Sequence, residues 1–158
     1  VDLSIRPVVD AAARVAEETG NPAGAIELPS GEVVTGKTTD LMGASSSTLL
    51  NALKSLAGID HIHHLISREA LEPIQQVKVH HLGSVNPRLH SDEVLIALAI
   101  SATTNPLAKR ALDQLSALRG CEAHSSVILS PVDSGLYSRL GLRLTCEPQY
   151  ETNKLYHK

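Results

Sequence analysis

Apolar positions along the chain recur at two different periods, and the alternation between them predicts the order of elements. Residues 5–19 form an Ala-rich amphipathic stretch that stops at Gly20, a residue suited to the left-handed turn after a helix. Two short β-type segments, 25–28 and 32–36, flank Pro29-Ser30-Gly31 and predict a hairpin. Over 45–57, Leu49, Leu50, Leu53, Leu56 and Ala57 share one helical face, with serines at 45–47 to cap it and Gly58 to end it. Residues 62–66 predict a short strand. Ser67 then caps a helix over 68–81, in which Leu71, Ile74 and Val77 align and Pro73 sits in the early turns. After a loop at 83–88, Ser91 opens a helix over 91–103. Its segment 94–100 is apolar all round, which predicts a central, inaccessible position. Asn105-Pro106 opens a helix to Arg119, and Gly120 ends it. Residues 127–129 predict a buried strand, Ser130-Pro131 a short helix to Leu140, and 142–146 a last strand before Pro148.

Hairpin, helix, strand, helices, strand, helix, strand is an α/β order. It predicts a three-layer mixed sheet in which a β-hairpin is followed by helix–strand units. Residues 1–24 read as a helix and linker, 25–148 as a single α/β domain, and 149–158 as a loose polar tail. At 158 residues the chain is long enough for one buried core. It opens Val1-Asp2-Leu3 without an initiator Met, so it is expected to be a piece of a longer protein, or a processed one.

Composition narrows the function classes. A net charge of −3 gives no electrostatic reason to expect nucleic acid or an anionic membrane as partner. With no Phe, no Trp and three Tyr, stacking platforms for bases are nearly absent. Two cysteines, Cys121 and Cys146, make no disulfide framework, and a cytoplasmic location is expected.

Gly31-Glu-Val-Val-Thr-Gly-Lys-Thr38 matches the letters of a phosphate-binding P-loop. Its context argues otherwise. The interior Glu-Val-Val-Thr is mostly β-branched, which stiffens an extended backbone rather than a loop that curls round phosphate. The helix that should open at Lys37-Thr38 starts several residues later, and no partner Asp follows an apolar strand; Asp133, beyond Pro131, is the nearest. The stretch is expected to be a hairpin strand, and no cofactor is expected in this domain.

Several polar constellations could still hold a ligand. Lys37, Thr38, Asp40 and the serines from Ser45 onward lie between hairpin and helix, beside a helix start without an acidic residue in its first turn; phosphate binding and simple capping both fit. Arg88 can clamp a carboxylate or phosphate, although Asp92 and Glu93 oppose an anion at that helix end. Glu122 and His124 fall on one face of a strand, where a carboxylate can orient an imidazole; positioning is the simpler role for His124 than catalysis. His61 and His63 would share a strand face as metal ligands, but a solvated strand end is simpler, and no metal is expected.

Four stretches together resemble a known family: Glu32-Val-Val-Thr-Gly-Lys-Thr-Thr-Asp-Leu-Met-Gly-Ala44, Asn51-Ala-Leu-Lys-Ser-Leu-Ala-Gly58, Asn86-Pro-Arg-Leu-His-Ser-Asp-Glu-Val-Leu-Ile-Ala-Leu98 and Cys121-Glu-Ala-His-Ser-Ser-Val-Ile-Leu-Ser130. They resemble the C-terminal third of a bacterial UPF-type family, numbered 1846 among domains of unknown function. The resemblance covers residues 25–150 and transfers no catalytic residue. It implies an upstream domain whose Gly-Pro-rich loop is the better candidate to hold a nucleotide. The element order also resembles the cytidine-deaminase layout, but the zinc signature of that class is missing.

The resulting expectation is an α/β domain that binds a small anionic, phosphate- or carboxylate-bearing ligand and works with an upstream nucleotide-binding domain. The candidate ligand-binding residues are Lys37, Thr38, Asp40, Ser45, Arg88, Glu122 and His124. The alternative is a non-catalytic assembly domain, and a homo-oligomer is expected in either case.

Overall fold

The computed structural model describes residues 6–149, in one mixed α/β fold. Helix α1 spans Pro7–Thr19 and ends at Gly20, whose φ of 72° supplies the left-handed cap. Strands β1, Ala23–Glu27, and β2, Val33–Lys37, form the hairpin, and Gly31 takes φ 95° in its turn. Helix α2 covers Ala44–Leu56, α3 Arg68–Gln76, α4 Ser91–Ser101, α5 Pro106–Leu112 and α6 Pro131–Arg139. Strands β3, Glu122–Ser125, and β4, Arg143–Cys146, complete a four-stranded sheet of order β2-β1-β3-β4. β1 runs antiparallel to both β2 and β3, while β3 and β4 are parallel and joined through α6.

Both faces of the sheet are covered. Ala25 meets Val8 and Ala12 of α1 on one face. Its neighbour Ile26 points the opposite way, into the main core with Val34, Ala123, and Leu49 and Leu53 of α2. The α2 approach is unusually close because it lies over two paired glycines. A Cβ at Gly24 would sit 2.8 Å from Thr48 Oγ1, and one at Gly36 would press on the α2 backbone at Ser47 and Thr48. The second glycine of the P-loop-like string therefore faces a helix backbone, and Val33–Lys37 is strand rather than phosphate loop.

Five expectations need correction. Residues 62–66 form no strand. Asp60 accepts Ile62 N at its side chain and His63 N at its carbonyl, which turns the chain and leaves Ile62 67% exposed. The predicted strand at 127–129 is displaced to Glu122–Ser125. Ser125 Oγ then folds onto the backbone of Val127, donating to its carbonyl at 2.6 Å, and ends the strand. The helix predicted over 68–81 gives way after Gln76 to a π-type turn, Val77–His81, and the one opened by Pro106 ends at Leu112 before a short 3-10 turn, Leu115–Leu118. Helix α4 is only half buried: Val94, Ala97 and Leu98 face the core, but Ile96 and Ile100 are 61% and 66% exposed. The polar tail from Tyr150 lies outside the described residues, whereas Gln149 is anchored through Ser126 and Ile128. Among the described residues no helix is long and apolar enough to cross a membrane.

Candidate functional site

The connector from β2 to α2 organises the polar chemistry. Thr38 N donates to Pro22 O, and Thr39 accepts from Leu41 N and Met42 N through its hydroxyl. Leu89 pairs with the connector on both sides, donating to Leu41 O at 2.9 Å and accepting from Gly43 N at 3.3 Å. Arg88 Nε reaches Thr39 O at 2.6 Å. Gly43 is the N-cap of α2. It has no side chain to cap with, and the first turn carries no acidic residue. That turn is nevertheless held rigidly: Ser46 Oγ donates to Leu89 O at 3.1 Å, and the buried Tyr137 hydroxyl donates to Ser45 O at 2.7 Å. Burial pushes the Tyr137 pKa up, so it remains a donor.

This turn opens into a pocket of about 280 Å³ lined by Gly43, Ala44, Ser45, Asn86, Arg88, His90, Ser130 and Asp133, among others. Three helices begin there. Gly43 caps α2, His90 precedes α4, and Ser130 caps α6 by accepting from Asp133 N. Each start contributes positive potential. Asp133 is buried and well provided with donors: Ser91 N at 2.8 Å, Ser91 Oγ at 2.6 Å and His90 Nδ1 at 3.2 Å. Burial opposes its charge, but the hydrogen bonds from His90 and Ser91 outweigh that, and its pKa lies below the ordinary carboxylate range. The hydrogen bond that His90 donates to Asp133 in turn raises the His90 pKa above its ordinary value, against the effect of partial burial. Glu93, in the first turn of α4, is engaged by Lys78 Nζ and by His90 N.

The sequence candidates fall into separate places. Ser45 and Arg88 line this pocket together. Lys37 and Asp40 line a second, larger cavity. Thr38 lies between them in sequence but is only 3% exposed, and its Oγ1 has no partner among the described residues. Glu122 and His124 sit on the sheet face beneath the start of α1. There Arg6 holds Glu122 at 2.6 Å and reaches Thr145. His124 is buried between Thr145 and Glu147, at 2.7 Å from each ring nitrogen, so Glu147 is the carboxylate that orients it. Among the described residues no three His, Cys, Asp or Glu side chains form a group suited to a metal. Sequence reasoning missed His90 and Asp133 as a pair. The signal available was an Asp three residues after a Ser-Pro helix start, which marks a first-turn carboxylate.

A family model described as "Domain of unknown function DUF1846, C-terminal" matches residues 4–156. The chain belongs to this family. Among relatives, it is 55% identical over 158 residues to the UPF0371 protein DIP2346 of Corynebacterium diphtheriae, covering all of this chain and 32% of that protein. It is 51% identical over 161 residues to the UPF0371 protein stu1377 of Streptococcus thermophilus, covering 99% of this chain and 33% of that one. The chain thus spans about a third of the length of these relatives. Three of the four stretches that carried the resemblance to the DUF1846 family meet at the pocket: Gly43 and Ala44 from the first, Arg88 to His90 from the third, and Ile128 to Ser130 from the fourth.

Proposed function

We propose that this DUF1846 C-terminal domain binds a small phosphate- or carboxylate-bearing ligand at the start of α2. It does so within a longer protein whose upstream domain handles nucleotide. The observation that carries the reading is the convergence of three helix starts on one pocket where the α2 first turn has neither a side-chain cap nor an acid. The backbone amides of Ala44 and Ser45 offer donors, Arg88 brings permanent positive charge, and His90 adds a proton-dependent one. Of the nearby carboxylates, Asp133 is bound by Ser91 and His90 and Glu93 by Lys78, while Asp92 accepts from Glu93 N and adds negative charge at the start of α4.

Titration of inorganic phosphate into isotope-labelled protein tests this. The amides of Ala44, Ser45 and Ser46 and the ring of His90 are expected to shift together, with affinity about tenfold weaker in Arg88→Gln. Unmoved amides at these positions in tens of millimolar phosphate refute the reading.

The outer stripe of α4, Ile96 and Ile100, favours a second reading, an assembly domain. Sedimentation of the chain and of an Ile96→Glu, Ile100→Glu variant decides it: an oligomer that dissociates in the variant supports assembly, and a monomer in both rejects it.

A further inference from the structure

A second cavity, of about 610 Å³, lies beside β2, one of the two edge strands of the sheet, and shares no lining residue with the first pocket. Its size falls in the range of ligand-binding clefts. Lys37 reaches it from the end of β2, Lys54 from α2, and Arg68 from the start of α3; His61, His63 and His64 come from the turn that replaces the expected strand. Asp40 is the one carboxylate among the lining residues; Arg68 pairs with it at 3.3 Å and with Glu72 at 3.2 Å, and Asp60 lies 3.3 Å from His61. Lys37, Lys54 and Arg68 outnumber the single carboxylate of the lining before any imidazole is protonated. Lys54 holds the histidine turn in place by donating to His61 O at 2.8 Å. Asn51 is spent on Thr35 O. The remaining surface is apolar: Leu50 on α2, Leu65 and Ile66 from the turn, and Leu71 on α3.

We propose that this cavity is a binding site for an organic phosphate, a molecule whose apolar body lies over Leu50, Leu65 and Leu71 and whose phosphate meets Lys37, Arg68 and the imidazoles. A phosphate dianion suits this rim better than a carboxylate does. It presents three acceptor oxygens to donors arriving from three elements, and it carries twice the charge. The apolar lining requires a body that inorganic phosphate lacks. The site stands apart from the anion pocket at α2, because the connector between them is pinned to Leu89 on both sides.

The test uses the whole 158-residue chain and three probes: 1-naphthyl phosphate, 1-naphthol and inorganic phosphate. Binding is followed by NMR at the Leu50 and Lys54 amides and at the rings of His63 and His64. The naphthyl phosphate is expected to bind at least tenfold more tightly than either fragment. A Lys37→Ala, Arg68→Ala double variant is expected to lose at least tenfold for naphthyl phosphate, while its affinity for 1-naphthol stays the same. Both replaced side chains are exposed, so an unchanged amide spectrum elsewhere verifies the fold. Arg88→Gln, which disables the other pocket, is expected to leave this binding intact. The proposal is overturned if naphthyl phosphate binds no better than its fragments, if the double variant binds it normally, or if the shifts map to Ala44–Ser46 and vanish in Arg88→Gln.

Discussion

Replacing Gly36 by Ala tests whether the sheet and α2 are as close as described. Gly36 pairs with Gly24 across β1 and β2, directly under the first turns of α2. An added methyl would meet the Thr48 amide and lie 2.7 Å from Ser47 C and Thr48 Cα. Carbon atoms in contact prefer about 3.5–4.0 Å, so the helix must retreat by roughly 1 Å. The obstacle is backbone, with no rotamer to absorb the strain, and α2 carries Leu49 and Leu53 into the core. Overpacking of this kind costs about 1–3 kcal/mol, and the rigid neighbour places this case near about 3 kcal/mol. For a domain of this size that is a fall in Tm of about 6–12 °C. The sign is diagnostic. Gly36 has no positive φ, so in open space alanine would stabilise by about 0.4–1 kcal/mol through the unfolded state. Gly135, in the middle of α6 with nothing within 4 Å of a new Cβ, serves as control, and Gly135→Ala should gain about 0.5–1 kcal/mol. Urea denaturation of the two variants is sufficient. A neutral or stabilised Gly36→Ala refutes the packing, and with it the account of why a glycine stands there.

Other outcomes follow from single buried groups. Thr38→Val keeps the shape but removes an unpartnered buried hydroxyl; stability in denaturant should be unchanged or higher by up to about 1 kcal/mol, and a clear loss would mean that the hydroxyl is satisfied in solution. Asp133→Asn should lower the His90 pKa in an NMR titration. The stability that Asp133 contributes is present above its ordinary value of 3.8 and is lost as pH falls through its depressed one. The part due to His90 is full below 6.5 and is lost as pH rises through its raised value. The gap between wild type and variant should therefore be widest between pH 3.8 and 6.5, and a pH-independent gap would sink the coupling. Leu98→Ala, on the buried face of α4, should cost about 2–5 kcal/mol, and a change under about 1 kcal/mol would place that face at the surface.

Local chemistry made much of this molecule readable in one dimension. The hairpin, the left-handed glycines after α1 and α2, the Ser67, Asn105 and Ser130 caps and the prolines that open α5 and α6 are determined by neighbours in sequence, because caps and turns satisfy backbone groups within a few residues. The same local rules also misled. An apolar run at 127–129 reads as strand, but Ser125 turns back on its own backbone first. A hydrophobic run at 94–100 reads as central, but nothing in the sequence tells which of its two apolar faces finds a partner.

Contacts between distant segments were decided only in three dimensions. His90 and Asp133 are separated by 43 residues and become a pair because α4 and α6 begin side by side. Lys37 and Arg88, grouped by their chemistry, end in different pockets because Leu89 bonds to the connector between them. Gly36 is the clearest case. As a letter it completes a phosphate-loop string, and in the fold it is the gap through which the backbone of α2 approaches the sheet. Sequence determines what each residue can do with its near neighbours, and tertiary packing, which sums many weak long-range contacts, chooses the distant partner.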